Sequence, residues 1–240
     1  MTPATRRRLL AEFTGTGLLV AVVVGSGIAA TRLTADGAVQ LLVNSLVTAL
    51  GLAVLILVFS PAGGAQFNPV VTAADWLLAR KAPGRYGLAQ AAAVIGCQVA
   101  GAIAGAALAD AMFAVPVIAV SQHHRGGGPL LLSETVATAG LLLVIVTLTR
   151  TGRTQHAPWA VGAWIGAAYW FTASTSFANP AVTIGRTLTN TYAGIAPASA
   201  PAFIAVQCIG AAIGVALAAS IHQLPDAAAA PADQPAELVG

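Results

Sequence analysis

Two asparagines in this chain could act on a passing molecule, because an amide offers both donors and an acceptor without carrying charge. Asn68 and Asn179 each precede a proline, in Phe67-Asn68-Pro69-Val70-Val71-Thr72 and Ala178-Asn179-Pro180-Ala181-Val182-Thr183, 111 residues apart. Asparagine caps helix N-termini and proline suits the first helical position, so each pair starts a helix. The apolar stretch behind Asn68 runs only to about Ala79, and that behind Asn179 to about Leu188. Neither reaches the about 20 residues that cross a bilayer. Each reads as a half-helix that enters the membrane from its own side and stops near the middle. Two N-termini facing each other carry partial positive charge. Such a midplane repels cations and protons and suits an uncharged solute with hydroxyl-like groups. The approaches, 60–66 and 172–178, are irregular backbone at membrane depth, tolerated only beside protein or a water-filled cavity. They are expected to line the passage.

The rest of the chain must hold these segments in lipid. Of 240 residues, 57% are hydrophobic and only 8% charged, against roughly a quarter charged in a soluble domain. Apolar runs at 9–30, 39–60, 88–109, 130–149, 159–171 and 203–221 give six spans. The first run follows Arg6, Arg7 and Arg8 and carries Glu12; with five more runs behind it, it reads as a span and not a signal peptide. With a cytoplasmic amino terminus, Arg6, Arg7, Arg8, Arg80, Lys81, Arg85, Arg150 and Arg153 fall inside, and only Arg32, Arg125 and Arg186 outside. That is the positive-inside pattern of an inner or plasma membrane protein with both ends cytoplasmic.

The chain reads as two copies of one unit. The stretch from Gln98 to Ala109 aligns without a gap on that from Gln207 to Ala218, and Gly101 and Gly105 match Gly210 and Gly214. Glycines four apart let helix backbones approach closely. Glu12 opens the first span and Glu134 the fourth; carboxylates inside spans are expensive and are expected to support the pore loops. With three spans per half the second copy is inverted, and the working region lies where the broken helices meet. The expected division is 1–120 for the first repeat, 121–223 for the second and 224–240 for a disordered cytoplasmic tail.

On these residues the sequence resembles the aquaporin, or major intrinsic protein, family from about Leu9 to about Ile221. The resemblance implies an all-α membrane fold of six transmembrane helices and two re-entrant half-helices, with one pore per subunit and a homotetramer. It implies a pore midplane of Asn68, Pro69, Val70, Asn179, Pro180 and Ala181. The chain departs from most members at Val70, where alanine is usual, and at Val182, where water and glycerol channels place an arginine; Thr183 stands where many glycerol channels have aspartate. The family's spacing puts the remaining filter positions at Thr48, Ala167 and Ser176, with Leu50 the alternative to Thr48 and Gly166 the alternative to Ala167. The expected filter is small and mostly apolar, lacking a bulky aromatic or an arginine. The stretch from Ser176 to Ile195 resembles an aquaglyceroporin-like bacterial branch associated with arsenic-resistance operons, which implies arsenite, As(OH)3, or glycerol as solute, and possible passage of water.

Other residues read as structural. Cys97 and Cys208 lie in apolar runs and are expected to be small buried helix residues, without a disulfide. His123 and His124 read as solvated loop, and Arg186, about two turns into the second half-helix, as lying nearer the outer mouth than the filter. Trp159, Trp164 and Trp170 are expected to anchor or pack the fifth span. The sequence shows no nucleophile–base pair, metal cluster or basic patch with aromatics, so an enzyme, a cofactor and a nucleic-acid partner are not expected. The expected activity is passive passage of small neutral solutes. The rival, a gradient-coupled secondary transporter, would have to use Glu12, Asp75, Asp110 or Glu134.

Overall fold

The computed structural model describes residues 1–79 and 86–222. The basic residues Arg80, Lys81 and Arg85 and the tail expected at 224–240 lie outside the described residues. Eight α-helices occur among the described residues: α1 Pro3–Leu33, α2 Gly37–Phe59, α3 Pro69–Ala79, α4 Leu88–Met112, α5 Gly128–Arg150, α6 Ala157–Phe171, α7 Pro180–Gly185 and α8 Ala200–Ile221.

Local chemistry sets several starts. The Thr2 hydroxyl accepts from the Thr5 N–H ahead of α1, and the Asp36 carboxylate accepts from Ala38 and Val39 N–H ahead of α2. Prolines sit in the first turn of α1, α5, α6, α7 and α8, where a missing N–H costs nothing. Five helices, α1, α2, α4, α5 and α8, are long and apolar enough to cross a membrane. The remaining expected span, α6, has 15 residues, a rise of about 22 Å. It stops short because Thr172 is extended and the chain leaves the helix there to approach the cavity.

Packing repeats across the molecule. α1 lies on α4 as α5 lies on α8, and α1 meets α2 as α5 meets α6; α2 against α6 and α3 against α7 complete the bundle. The glycines explain the two tight pairs. A Cβ on Gly101 or Gly105 would collide with the carbonyl oxygens of Phe13 and Gly17 on α1. A Cβ on Gly210 or Gly214 would collide with those of Thr135 and Ala139 on α5. Backbones this close gain the dispersion contact that must replace hydrophobic driving force in lipid.

The cysteine expectation is corrected. Cys97 is half-buried and Cys208 is exposed, both free, because the small-residue face of each helix, not the cysteine face, turns inward. Trp159 and Trp170 are largely exposed. Trp164 packs inward against Gly140 and donates to the Ala137 carbonyl at 2.9 Å.

Candidate functional site: a cavity between two opposed half-helices

Two carboxylates build the site. Glu12 on α1 accepts from the backbone N–H of Gln66 at 2.8 Å and of Phe67 at 2.7 Å. Glu134 on α5 accepts from Phe177 N–H at 2.8 Å and Ala178 N–H at 2.9 Å. In both halves these are the two residues just before the asparagine. Gln98 donates to Glu12 and to the Thr72 hydroxyl, both at 2.9 Å. Gln207 donates to Glu134 at 2.8 Å and to the Thr183 hydroxyl at 3.0 Å. Burying a carboxylate costs several kcal/mol, but hydrogen bonds to a charged group return about 1.5–3 kcal/mol each. Three per carboxylate offset the cost and fix the loop.

The loops need that support. Ala65 (φ 46°) and Phe67 (φ 51°) in one half, and Ser176 (φ 50°) and Ala178 (φ 48°) in the other, are left-handed, at about 1–2 kcal/mol each for an L-residue. These residues line the cavity, and each loop leads into an asparagine cap. Asn179 Oδ1 accepts from Ala181 and Val182 N–H at 3.0 and 3.2 Å, and Asn68 Oδ1 accepts from Val70 N–H at 3.1 Å.

The tips of α3 and α7 meet. Asn68 Nδ2 donates to the Ala178 carbonyl at 2.8 Å, and Asn179 Nδ2 donates to the Phe67 carbonyl at 2.7 Å. Each amide nitrogen carries two N–H groups, so one bridges the halves and the other remains for a ligand. Both asparagines line a cavity of about 660 Å³.

That cavity begins at the face carrying the amino terminus, beside Arg8, Arg150 and Gly63 to Gln66, and passes the asparagines. Its walls are mainly apolar, from Leu19, Leu52, Ile56, Leu142, Val161 and Ile165. Near its entrance Asp75 accepts from Gln66 Nε2 at 3.1 Å and from the Tyr86 hydroxyl at 2.7 Å, while Arg8 donates to Gln66 at 3.1 Å. Burial, and then Asp75, push the Tyr86 phenol above its ordinary pKa, so it stays a neutral donor.

Of the sequence-predicted residues, Asn68, Asn179, Thr48, Ser176 and Val182 line the cavity. Pro69 and Pro180 start the half-helices, and Val70 and Ala181 are buried behind the asparagines. Leu50, the alternative to Thr48, is exposed. Ala167 is a correction: it is exposed on the far side of α6 and does not line the cavity. Gly166 faces Ala49 on α2 instead. Helix α6 presents Val161, Ile165 and Tyr169 inward, four residues apart; Ala167 lies about 200° away from them at 100° per residue.

The expectation of a filter without an aromatic or an arginine is therefore overturned. Tyr169 and Arg186 both line the cavity, beside Thr48, Ser176 and Val182. The Thr48 and Tyr169 hydroxyls are 3.3 Å apart. Arg186 does not lie out at a mouth: it is 2% exposed, its Nε donates to the Ala193 carbonyl, and its guanidinium covers the Phe177 ring. An arginine inside an otherwise apolar stretch was the signal that could have found it. His123 and His124 are exposed, whereas Arg125 docks its loop through Gly194 and Tyr192 carbonyls at 3.0 and 3.4 Å.

Comparisons with known proteins agree with this architecture. The family model for the major intrinsic protein matches residues 1–177. Aquaglyceroporin AqpS of Rhizobium meliloti is 48% identical over 211 residues, 88% of this chain and 88% of that protein. The glycerol uptake facilitator protein of Pseudomonas aeruginosa is 32% identical over 231 residues, 82% of this chain and 78% of that protein. The X-ray structure of the aquaglyceroporin from Plasmodium falciparum shares the fold, with a TM-score of 0.65 at 18% identity over 90% of this chain and 95% of that one. Two opposed Asn-Pro half-helices in a bundle of membrane helices, with a family match over most of the sequence, place this chain in the major intrinsic protein family of non-enzymatic membrane channels.

Proposed function

We propose that the chain passes small uncharged, hydroxyl-bearing solutes, with glycerol and As(OH)3 as cargo, through the space between Asn68 and Asn179. The observation that carries this is the opposed pair of neutral amides on an apolar-walled cavity. A solute leaving water there exchanges hydroxyl hydrogen bonds for the free amide N–H groups, and its carbon skeleton or broad face meets the apolar wall. Val182, uncharged and slim where an arginine is usual, leaves room for a solute wider than water. The names of the relatives, an aquaglyceroporin and a glycerol uptake facilitator, point the same way.

The pore midplane comprises Asn68, Pro69, Val70, Asn179, Pro180 and Ala181, with the inverted repeats at 1–120 and 121–223 related about it. The chain lies in the inner or plasma membrane with both ends cytoplasmic and assembles as a homotetramer. The exposed leucines of α2 (Leu42, Leu46, Leu50 and Leu57) suit lipid and subunit contact. Gradient coupling is the weaker reading, because Glu12 and Glu134 are saturated by structural hydrogen bonds and Asp110 does not line the cavity.

Stopped-flow measurement on proteoliposomes tests this. Glycerol and arsenite fluxes well above empty vesicles, unchanged when proton and sodium gradients are dissipated, are expected. Flux that collapses with either gradient contradicts passive passage.

A further inference from the structure

The cavity stops at one layer. Its last lining residues are Thr48, Tyr169, Ser176, Val182 and Arg186, and no residue of the loops 113–127 or 189–199 lines it. The other charged lining residues, Arg8, Asp75 and Arg150, belong to the entrance. Arg186 is thus the one charge on the lining at the closed end, among the described residues.

This guanidinium is costly to keep. It is buried to 2% exposure, and its one side-chain hydrogen bond among the described residues runs from Nε to the Ala193 carbonyl. The guanidinium carbon lies 3.4 Å from the centroid of the Phe177 ring, which Arg125 also approaches, at 5.2 Å. Phe177 is itself fixed, by its N–H on Glu134 and by an edge contact with Phe203 at 5.4 Å. Cation–π contact and one carbonyl hold the group without neutralising it, and its Nη donors have no protein partner among the described residues. The Ser176 hydroxyl, on the same lining, is buried with no partner. A full positive charge with spare donors therefore stands where a solute must pass. Its position is four residues beyond Val182, on a 3-10 turn that follows a half-helix of only 6 residues.

Building on the passive-channel reading, we propose that Arg186 is the specificity-determining residue of this layer: it excludes cations and hydronium, and it donates to the oxygens of the uncharged solute that it admits. Tyr169 sets the width, its hydroxyl meeting Thr48 across the layer.

The test uses the full chain in proteoliposomes, with glycerol flux read by light scattering and proton leak by an internal pH dye under a potassium diffusion potential. Arg186→Gln is expected to raise proton leak about tenfold or more, the effect of removing one charge from a low-dielectric constriction. Arg186→Lys keeps the leak low, and moving the charge back in Arg186→Gln/Val182→Arg lowers it again. Phe177→Leu, which frees the guanidinium but keeps the Glu134 hydrogen bond to the backbone, gives a smaller rise and decides the matter if Arg186→Gln does not assemble. No rise in leak in an assembled variant that still passes glycerol overturns the proposal. Absence of glycerol flux in the unsubstituted protein overturns the channel reading instead.

Discussion

The two half-helix regions share a frame and differ in what they show the cavity. Each has a glutamate gripping the two N–H groups before its asparagine, a glutamine tying that glutamate to a threonine, and left-handed residues on the approach. Yet α3 has 11 residues and stands in the open end, with Gln66 and Asp75 beside it, whereas α7 has 6 and turns into the layer that closes the cavity. The equivalent positions three beyond each asparagine, Val71 and Val182, both line the cavity. The difference teaches that positioning is symmetric and selection is not. Chain folding repeats, while most of the layer proposed to choose among solutes, Thr48 apart, comes from the second half.

The symmetric part is the easiest to break. Glu12→Gln and Glu134→Gln each place a donor-bearing amide against N–H donors, at about 1–3 kcal/mol per buried group left unpaired. Both variants are expected to lose the most stability, by similar amounts, in detergent melting followed by tryptophan fluorescence. Unequal losses would show that the two frames are not equivalent. Next come Gly105→Val and Gly214→Val, which force α1 from α4 and α5 from α8; overpacking of this kind costs about 1–3 kcal/mol. Size-exclusion profiles should degrade in both.

The asymmetric part is read by flux. Val182→Arg is expected to lower glycerol and arsenite permeability several-fold, with water little changed or reduced, while Val71→Arg, beside the entrance residues, lowers it less. Equal effects would mean that the closed end does not select. The smallest effect belongs to Cys208→Ser, on an exposed helix face, which should leave glycerol flux as it was.

Much of this was legible in the chain. The repeated Asn-Pro, Glu12 with Glu134, and Gln98 with Gln207 are sequence matches because they make the same hydrogen bonds twice. Tyr169 and Arg186 were not legible by counting. A fixed spacing from Asn179 back to Ala167 assumes one helical phase, but α6 ends at Phe171 and the chain then turns through non-helical, partly left-handed backbone, so the phase is lost. Arg186 was misplaced because α7 was expected to continue as a regular helix; the 3-10 turn after Gly185 and the Phe177 contact bring the side chain back to the cavity. Cys208 was misjudged because an Ala- and Gly-rich helix buries its small face, and apolarity alone does not say which side is in.

One measurement bears most directly on the placement of the passage. In a Cys97→Ser/Cys208→Ser background, single cysteines at 182 and 167 are treated with a small membrane-permeant thiol reagent, and glycerol flux is followed in proteoliposomes. Block of Val182→Cys, reversed by reductant, with Ala167→Cys unaffected, is the expected result. Block through position 167 with none through 182 would put the conducting path outside the half-helix cavity and contradict the account.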